Sequence, residues 1–336
     1  MNFWLLLLVE VVVILVVMLV GALVTIYAEL KISAHMQSRI GPYYAGGKWG
    51  WAQPAADGLK FMQKEDLVPA AADHTVFRLA PYIVIMSALA VWVVIPFGPD
   101  LVVRDLDLGV FFVLAVSSLS TLGVLMAGWA SANKYSLLGG LRAAAQLIAY
   151  ELPLLLAVVA VVVQAGTMSL NGIVAAQAQT WFTVGGIEIS APFLLKGQII
   201  GFVIFMVAAV AELSRIPFDM PIAESELTMG YLTEYSGIRF TMFFLGEYAS
   251  MVAISAIAAT MYLGGYWVPG LPESTLNAVG PFVLLAKVAF LVFLLIWFRW
   301  TWPRLREDQL QDLAWRWLIP LGLLNIVLAG IFKVVL

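Results

Sequence analysis

Eight apolar segments recur along this chain, at roughly residues 3–28, 77–97, 110–130, 145–165, 194–212, 241–265, 277–298 and 317–335. Each approaches the ~20 apolar residues that a helix needs to cross the ~30 Å hydrocarbon core of a bilayer. No water is available there to satisfy backbone N–H and C=O groups, so a lone apolar segment must satisfy its own backbone as a helix. The pattern predicts an all-α polytopic membrane protein of eight transmembrane helices, a single transmembrane domain over residues 1–336. Composition agrees: only 12% of the 336 residues are charged, against about 25% in a soluble domain. The first run lacks a basic flank and is too long for a signal-peptide core, so it reads as a retained span.

The cations sort to one side. Lys31, Arg39, Lys48, Lys60, Lys64 and Arg78 follow the first segment, Lys134 and Arg142 the third, and Arg215 and Arg239 the fifth. Arg299, Arg304, Arg306 and Arg316 follow the seventh. By the positive-inside rule these loops face the cytoplasm, and an even count of spans puts both termini on the periplasmic, outer side. Of the outer loops, residues 166–192 form the longest, and their alternating TVGGIEIS run is compatible with a short hairpin.

Redox chemistry within the chain is constrained by what it lacks. With no Cys and two His, His35 and His74, it has no thiolates for an iron–sulfur cluster or disulfide and no conventional haem or zinc set. An electron carrier is expected on another subunit or as a diffusible molecule, with no redox cofactor bound by this chain.

Against that apolar background one stretch concentrates charge. Residues 211–248 carry Glu212, Asp219, Glu224, Glu226, Glu234 and Glu247 against Arg215 and Arg239. The stretch reads as an acidic cytoplasmic junction loop with its flanking helix ends. Carboxylates crowded in a low-dielectric site cannot all ionise and titrate as a coupled group, which is what a proton relay requires. A solvated acidic loop is the simpler alternative. Glu212 and Arg215, three residues apart, can pair along one helix face, and Pro217 and Pro221 then end the helix.

Further charges lie inside apolar segments: Glu10, Glu151, Glu247 and Lys287. At mid-bilayer each costs roughly 2.5–3.5 kcal/mol if unpaired, so such residues face a bundle interior or a hydrated cavity. An ion pair of Lys287 with Glu151 or Glu247 is one resolution. Glu10 is near enough to the start of its span to reach the outer interface. In the first cytoplasmic loop, residues 53–64 put Gln53, Asp57, Lys60 and Lys64 on one helical face and Ala55, Leu59 and Met62 on another. That is an amphipathic interfacial helix, either sealing the bundle or framing an entrance for a lipid-soluble substrate.

At these residues the chain resembles a known family. The carrying stretches are AELSRIPFDMPIAESELTMGYLTEYSG (211–237), GWASANKYSLLGGLRAAAQLIAYELPL (128–154), MQSRIGP, QPAADGLK and KED in the first loop, and RWTWPRLREDQL before the last span. They are similar to the corresponding loops of one membrane subunit of respiratory complex I, the proton-pumping NADH–quinone oxidoreductase. That subunit is the bacterial homologue of mitochondrial NADH dehydrogenase subunit 1. The resemblance covers nearly the whole chain. It implies a bacterial inner-membrane subunit that walls the quinone-access tunnel and couples quinone reduction to proton translocation, with quinone as substrate. FMN and iron–sulfur clusters would sit on partner subunits. The implied partners are the peripheral-arm quinone-site and iron–sulfur subunits, small membrane subunits, antiporter-like subunits and the lipid bilayer, with no nucleic acid. By motif, Glu29, Arg39, Asp57, Arg142, Arg215, Phe218, Asp219, Glu224, Glu226 and Glu234 would belong to the tunnel. Glu151, Glu212, Glu247 and Lys287 would belong to the proton path.

The chain departs from the family pattern at Leu30, where Arg is usual, at Tyr43, where Asn is usual, and at Glu307, where Tyr is usual. Two alternatives stay open on sequence. One is the homologous anchor of a proton-translocating membrane-bound hydrogenase or ferredoxin-dependent complex, which Leu30 favours and the retained Arg39 and Asp57 oppose. The other is a stand-alone transporter, which would show internal repeats and broken midplane helices. No dinucleotide-binding motif is present, so the electron donor, whether NADH, ferredoxin or another carrier, would enter through partner subunits.

Overall fold

The computed structural model describes residues 3–184 and 187–335. Its long helices are α1 (Phe3–Met36), α3 (His74–Val91), α4 (Gly109–Ala130), α5 (Lys134–Ala165), α9 (Gly237–Tyr262) and α10 (Glu273–Thr301). The last predicted span begins earlier than expected, as α11 (Glu307–Asp312), a π-helical turn (Leu313–Leu318) and α12 (Ile319–Val335). The π turn sits just ahead of Pro320, whose ring would collide with the carbonyl four residues back in a regular helix. Seven of these helical units among the described residues are long and apolar enough to cross a membrane. The predicted fifth span is α7 (Ile199–Glu212), with only 14 residues, about 21 Å at 1.5 Å per residue. That falls short of a ~30 Å core. The fold is therefore a polytopic bundle of seven long helices and one short one.

Shorter pieces complete it. The expected amphipathic helix is α2 (Gln53–Gln63), with Pro54 in its first turn. Leu59 and Met62 are exposed, while Phe61 packs on Phe240 of α9, ring centroids 5.4 Å apart. Beyond α5 come α6 (Leu170–Ala178) and an antiparallel hairpin, β1 (Thr180–Val184) with β2 (Ile187–Ser190). The hairpin lies where TVGGIEIS pointed; its tip, Gly185–Gly186, is outside the described residues.

The core forms around α5 and α9. Helix α5 packs on α4, α7 and α12, while α9 packs on α1, α3 and α10. Small residues permit this closeness: a Cβ on Gly128 of α4 would lie 2.9 Å from the Gly140 Cα of α5. Between α7 and α9 the chain folds back as loop 213–236, which contains α8 (Glu224–Leu227) and rests on α4 and α5. Gly230, at φ +55°, touches that loop's own backbone so closely that a Cβ there would overlap the Pro221 carbonyl.

Candidate functional site: a carboxylate–guanidinium junction

Four elements meet at one centre, in which Arg215 and Glu29 are buried and Glu247 and Arg299 are partly exposed. Glu29 is in α1, Arg215 in the loop after α7, Glu247 and Tyr248 in α9, and Arg299 in the last turn of α10. Arg215, 3% exposed, donates from Nη1 to Glu29 Oε2 at 2.6 Å. Its Nε lies 3.0 Å from Glu247 Oε1, close enough for an ion pair but not aligned for a hydrogen bond. Its guanidinium stacks on the Tyr248 ring, 4.6 Å from the centroid. Arg299 closes the group by donating to the other oxygen of Glu29. Two carboxylates thus face two guanidiniums, which is how such charges are tolerated away from water. Burial opposes the charge on Arg215, but Glu247 and Glu29 outweigh it and hold the guanidinium firmly protonated.

Local chain geometry directs this pairing. Helix α7 ends at Glu212, and Ser214 adopts φ +50°. That turn separates Glu212 from Arg215. The expected Glu212–Arg215 pair along one helix face does not form, because the helix stops between them. Glu212 instead lines a cavity of about 70 Å³ together with Ser87, Ser117, Ser120 and Ser250. A space of that size with several hydroxyls accommodates water.

A second charged group lies on the loop side. Arg142 of α5 donates to Glu226 Oε2 at 2.8 Å and has its Nε 3.8 Å from Glu307. Arg304 Nη2 donates to the Asp219 carbonyl at 3.1 Å and approaches Glu226 at 3.7 Å. Burial pushes the Asp219 carboxyl up to about 6; Arg304 and Arg299 oppose that rise, and Glu247 and Glu224 add to it. The hydrogen bond from Arg142 keeps Glu226 below the usual carboxylate range despite slight burial. Asp219 thus feels both groups.

Gln146 of α5 holds the loop to the bundle. It is 2% exposed, and its Nε2 donates to the carbonyls of both Ala211 and Phe218 at 2.8 Å. Phe218 is buried edge-on against Tyr150, whose hydroxyl donates to the Leu310 carbonyl.

The remaining expected residues lie apart from the junction. Arg39 is exposed and bonds Gln37. Asp57 accepts from Gln53 and Lys60 within α2. Glu234 accepts from Asn133 at 2.5 Å, and Glu224 is exposed. Glu151 lies in α5 close enough to act electrostatically on Glu212. Lys287 pairs with neither Glu151 nor Glu247, correcting that expectation. It donates to the carbonyls of Leu263, Gly265 and Trp267 at 2.7–2.9 Å, where α9 ends and leaves acceptors open. Arg299, Arg304, Tyr248 and Gln146 carry no local signal of these contacts; in sequence the two arginines read only as loop cations. No group of three or more His, Asp or Glu is placed to hold a metal ion among the described residues.

Comparison with known proteins bears on this arrangement. A model of the NADH dehydrogenase family matches residues 9–330, which enclose the whole junction. An NADH-quinone oxidoreductase subunit of Bacillus mycoides (strain KBAB4) is 47% identical over 308 residues, covering 92% of this chain and 88% of the relative. The chain belongs to the NADH dehydrogenase family of NADH-quinone oxidoreductase subunits. NADH-quinone oxidoreductase subunit 8 of Rhodothermus marinus, 45% identical over 325 residues, covers 94% of this chain and 93% of that relative. Membership in the NADH dehydrogenase family accounts for the long apolar helices, since its members are membrane subunits of an enzyme complex. It also gives a common setting to the loop motifs in 128–154 and 211–237, which are far apart in sequence and touch through Arg142 and Glu226.

Proposed function

We propose that this chain is the membrane subunit of a proton-translocating NADH–quinone oxidoreductase. In this reading loop 213–236 and the neighbouring helix ends wall the quinone path on the cytoplasmic side, and the buried carboxylates carry the charge change into the membrane. The observation that carries the proposal is Arg215, shared between Glu29 of α1 and Glu247 of α9, in a group whose Arg299 and Glu247 act electrostatically on Asp219 of the loop. Naming of the relatives as NADH-quinone oxidoreductase subunits favours quinone over hydrogenase chemistry.

Reduction of a quinone to the quinol takes up two electrons and two protons. Partner subunits supply the electrons. This chain excludes water from the path, orients the headgroup and responds to the charge. Asp219, near pH 6 in its titration, gains or loses a proton for a modest change in local potential. The change is felt at Glu247, whose partner Arg215 can shift its balance between Glu247 and Glu29. Glu212, beside the serine hydroxyls of its otherwise apolar cavity, and Glu151 continue the route into the bundle.

Glu247→Gln and Glu212→Gln in the assembled enzyme test this. Each is expected to lower coupled quinone reduction by about tenfold or more, with assembly intact on native gels. Wild-type turnover and proton pumping in both variants would overturn the relay.

A further inference from the structure

Three serines stand at one level inside the bundle. Ser87 is thirteen residues beyond His74, where α3 starts, and Ser250 is thirteen beyond Gly237, where α9 starts. Ser117 is thirteen residues before Ala130, where α4 ends. These three helix ends share a depth: the Asp73 N–H donates to the Ala130 carbonyl, and the Tyr235 hydroxyl donates to the Phe77 carbonyl in the first turn of α3. At 1.5 Å per residue each serine is about 20 Å from that end of its helix, well inside the span of a ~30 Å core. All three line the cavity that holds Glu212, and Ser120, the next turn of α4, lines it too.

The lining offers acceptors. Ser87 and Ser117 donate their hydroxyl protons to the Val84 and Leu114 carbonyls at 2.8 and 3.1 Å, so their oxygens are left with lone pairs. Glu212 adds a carboxylate that keeps some exposed surface, and Glu151 acts on it electrostatically. No Lys or Arg lines the cavity among the described residues. Helix α7 stops at Glu212, and the C-terminal end of a helix dipole also favours a cation. Helices that end inside the membrane hold alkali cations and protons in this way in transporters.

We propose that the Glu212 cavity is a binding site for Na⁺, held by the Glu212 carboxylate and the serine oxygens around it. One carboxylate with neutral hydroxyls balances a single positive charge; a divalent ion would leave excess charge in an otherwise apolar setting. Hard oxygen donors suit an alkali cation, and few of them in so small a cavity suit Na⁺ better than the larger K⁺. Lacking a guanidinium or ammonium in the cavity, Glu212 reaches neutrality by holding either a proton or this ion. Binding exchanges the two: Na⁺ enters, the carboxyl releases its proton, and the charge at the site is unchanged. The inference rests on the reading of Glu212 as a relay group and makes Na⁺ a competitor for its proton.

The test is Na⁺-induced difference infrared spectroscopy of the assembled complex in nanodiscs, starting from choline buffer, with equilibrium binding of radiolabelled Na⁺ in parallel. Na⁺ is expected to remove a protonated-carboxyl C=O band, at a half-saturating concentration that rises about tenfold for each pH unit lowered. Glu212→Gln should abolish both the band change and the matching bound ion. Ser117→Ala and Ser120→Ala should each raise the half-saturating Na⁺ concentration about tenfold. An equal band change with K⁺ would reduce the effect to ionic strength and overturn the proposal. So would the absence of a band change, or Na⁺ binding that Glu212→Gln leaves intact. Turnover is a separate readout: if Glu212→Gln slows quinone reduction while Na⁺ leaves the carboxyl band untouched, the relay stands and the Na⁺ site falls.

Discussion

Arg215 serves two carboxylates from helices far apart in the chain, and removing it strands both. Arg215→Leu leaves Glu29 and Glu247 with Arg299 as the remaining cation, and an uncompensated buried charge typically costs about 3–5 kcal/mol. The expected result is a marked loss of assembled complex and a lower melting temperature in detergent. Arg215→Lys keeps the charge but replaces a planar fork with a point charge, so it should assemble better than the leucine variant yet remain impaired in turnover. Asp219 behaves differently. Its carboxyl is raised from an ordinary value of 3.8 to about 6, so the folded state binds that proton more tightly than the unfolded chain. Its contribution to stability therefore falls as pH rises between those values. Asp219→Asn should stabilise the fold slightly above pH 6 and flatten the pH dependence of turnover near that value. A variant whose melting temperature falls between about pH 4 and 6 as steeply as that of the wild type would contradict this. In sequence Asp219 is one of six acids in residues 211–248. Its singular position came only from the packing that brought it near both Arg304 and Glu247.

At the scale of elements, the loop after α7 has its shape imposed by neighbours more than by its own short helix. Gln146 pins Ala211 and Phe218, which bracket the turn that presents Glu212 and Arg215 to different sides. Gln146→Leu removes both bonds at nearly constant volume; the Ala211 carbonyl keeps the Ser214 N–H, while the Phe218 carbonyl loses its side-chain donor, at about 1–3 kcal/mol. The loop should then exchange amide hydrogen faster while α5 and α9 keep their protection; unchanged exchange over 211–218 would show that Gln146 is not the clamp. Gly128→Ala should act on an element instead, pushing α4 from α5 because the new Cβ meets Gly140 backbone at 2.9 Å. Reduced yield of folded complex is the expected outcome. The π turn before Pro320 and the early start of the last span were not legible in the apolar pattern. Charged residues 307–312 interrupt hydropathy without interrupting the helix.

For the whole molecule, the charge asymmetry predicts cytoplasmic loops around the junction and an outer loop containing Arg104. Because the chain has no Cys, a single Arg104→Cys variant gives a clean topological probe. A membrane-impermeant maleimide should label it in right-side-out vesicles and not in inverted ones; the reverse pattern would invert the proposed orientation. The bundle also exposes much apolar surface, with Val9, Val12, Val16 and Val20 of α1 each about half exposed. Lipid or neighbouring subunits are what such a surface requires.

The apolar runs determined the helical bundle without any tertiary information, because a chain segment in hydrocarbon must satisfy its backbone internally. They also located the acidic stretch, since charge stands out against so apolar a background. Which charges meet was another matter. Glu29 pairs with Arg215, 186 residues away, and with Arg299, 270 residues away, while Arg215 turns from Glu212, only three residues before it. Lys287 ignores the carboxylates and closes the end of α9. Local spacing governs pairing only while the helix continues. Once α7 stops at Glu212, the partner of each charge is decided by which helix ends the packed bundle brings together.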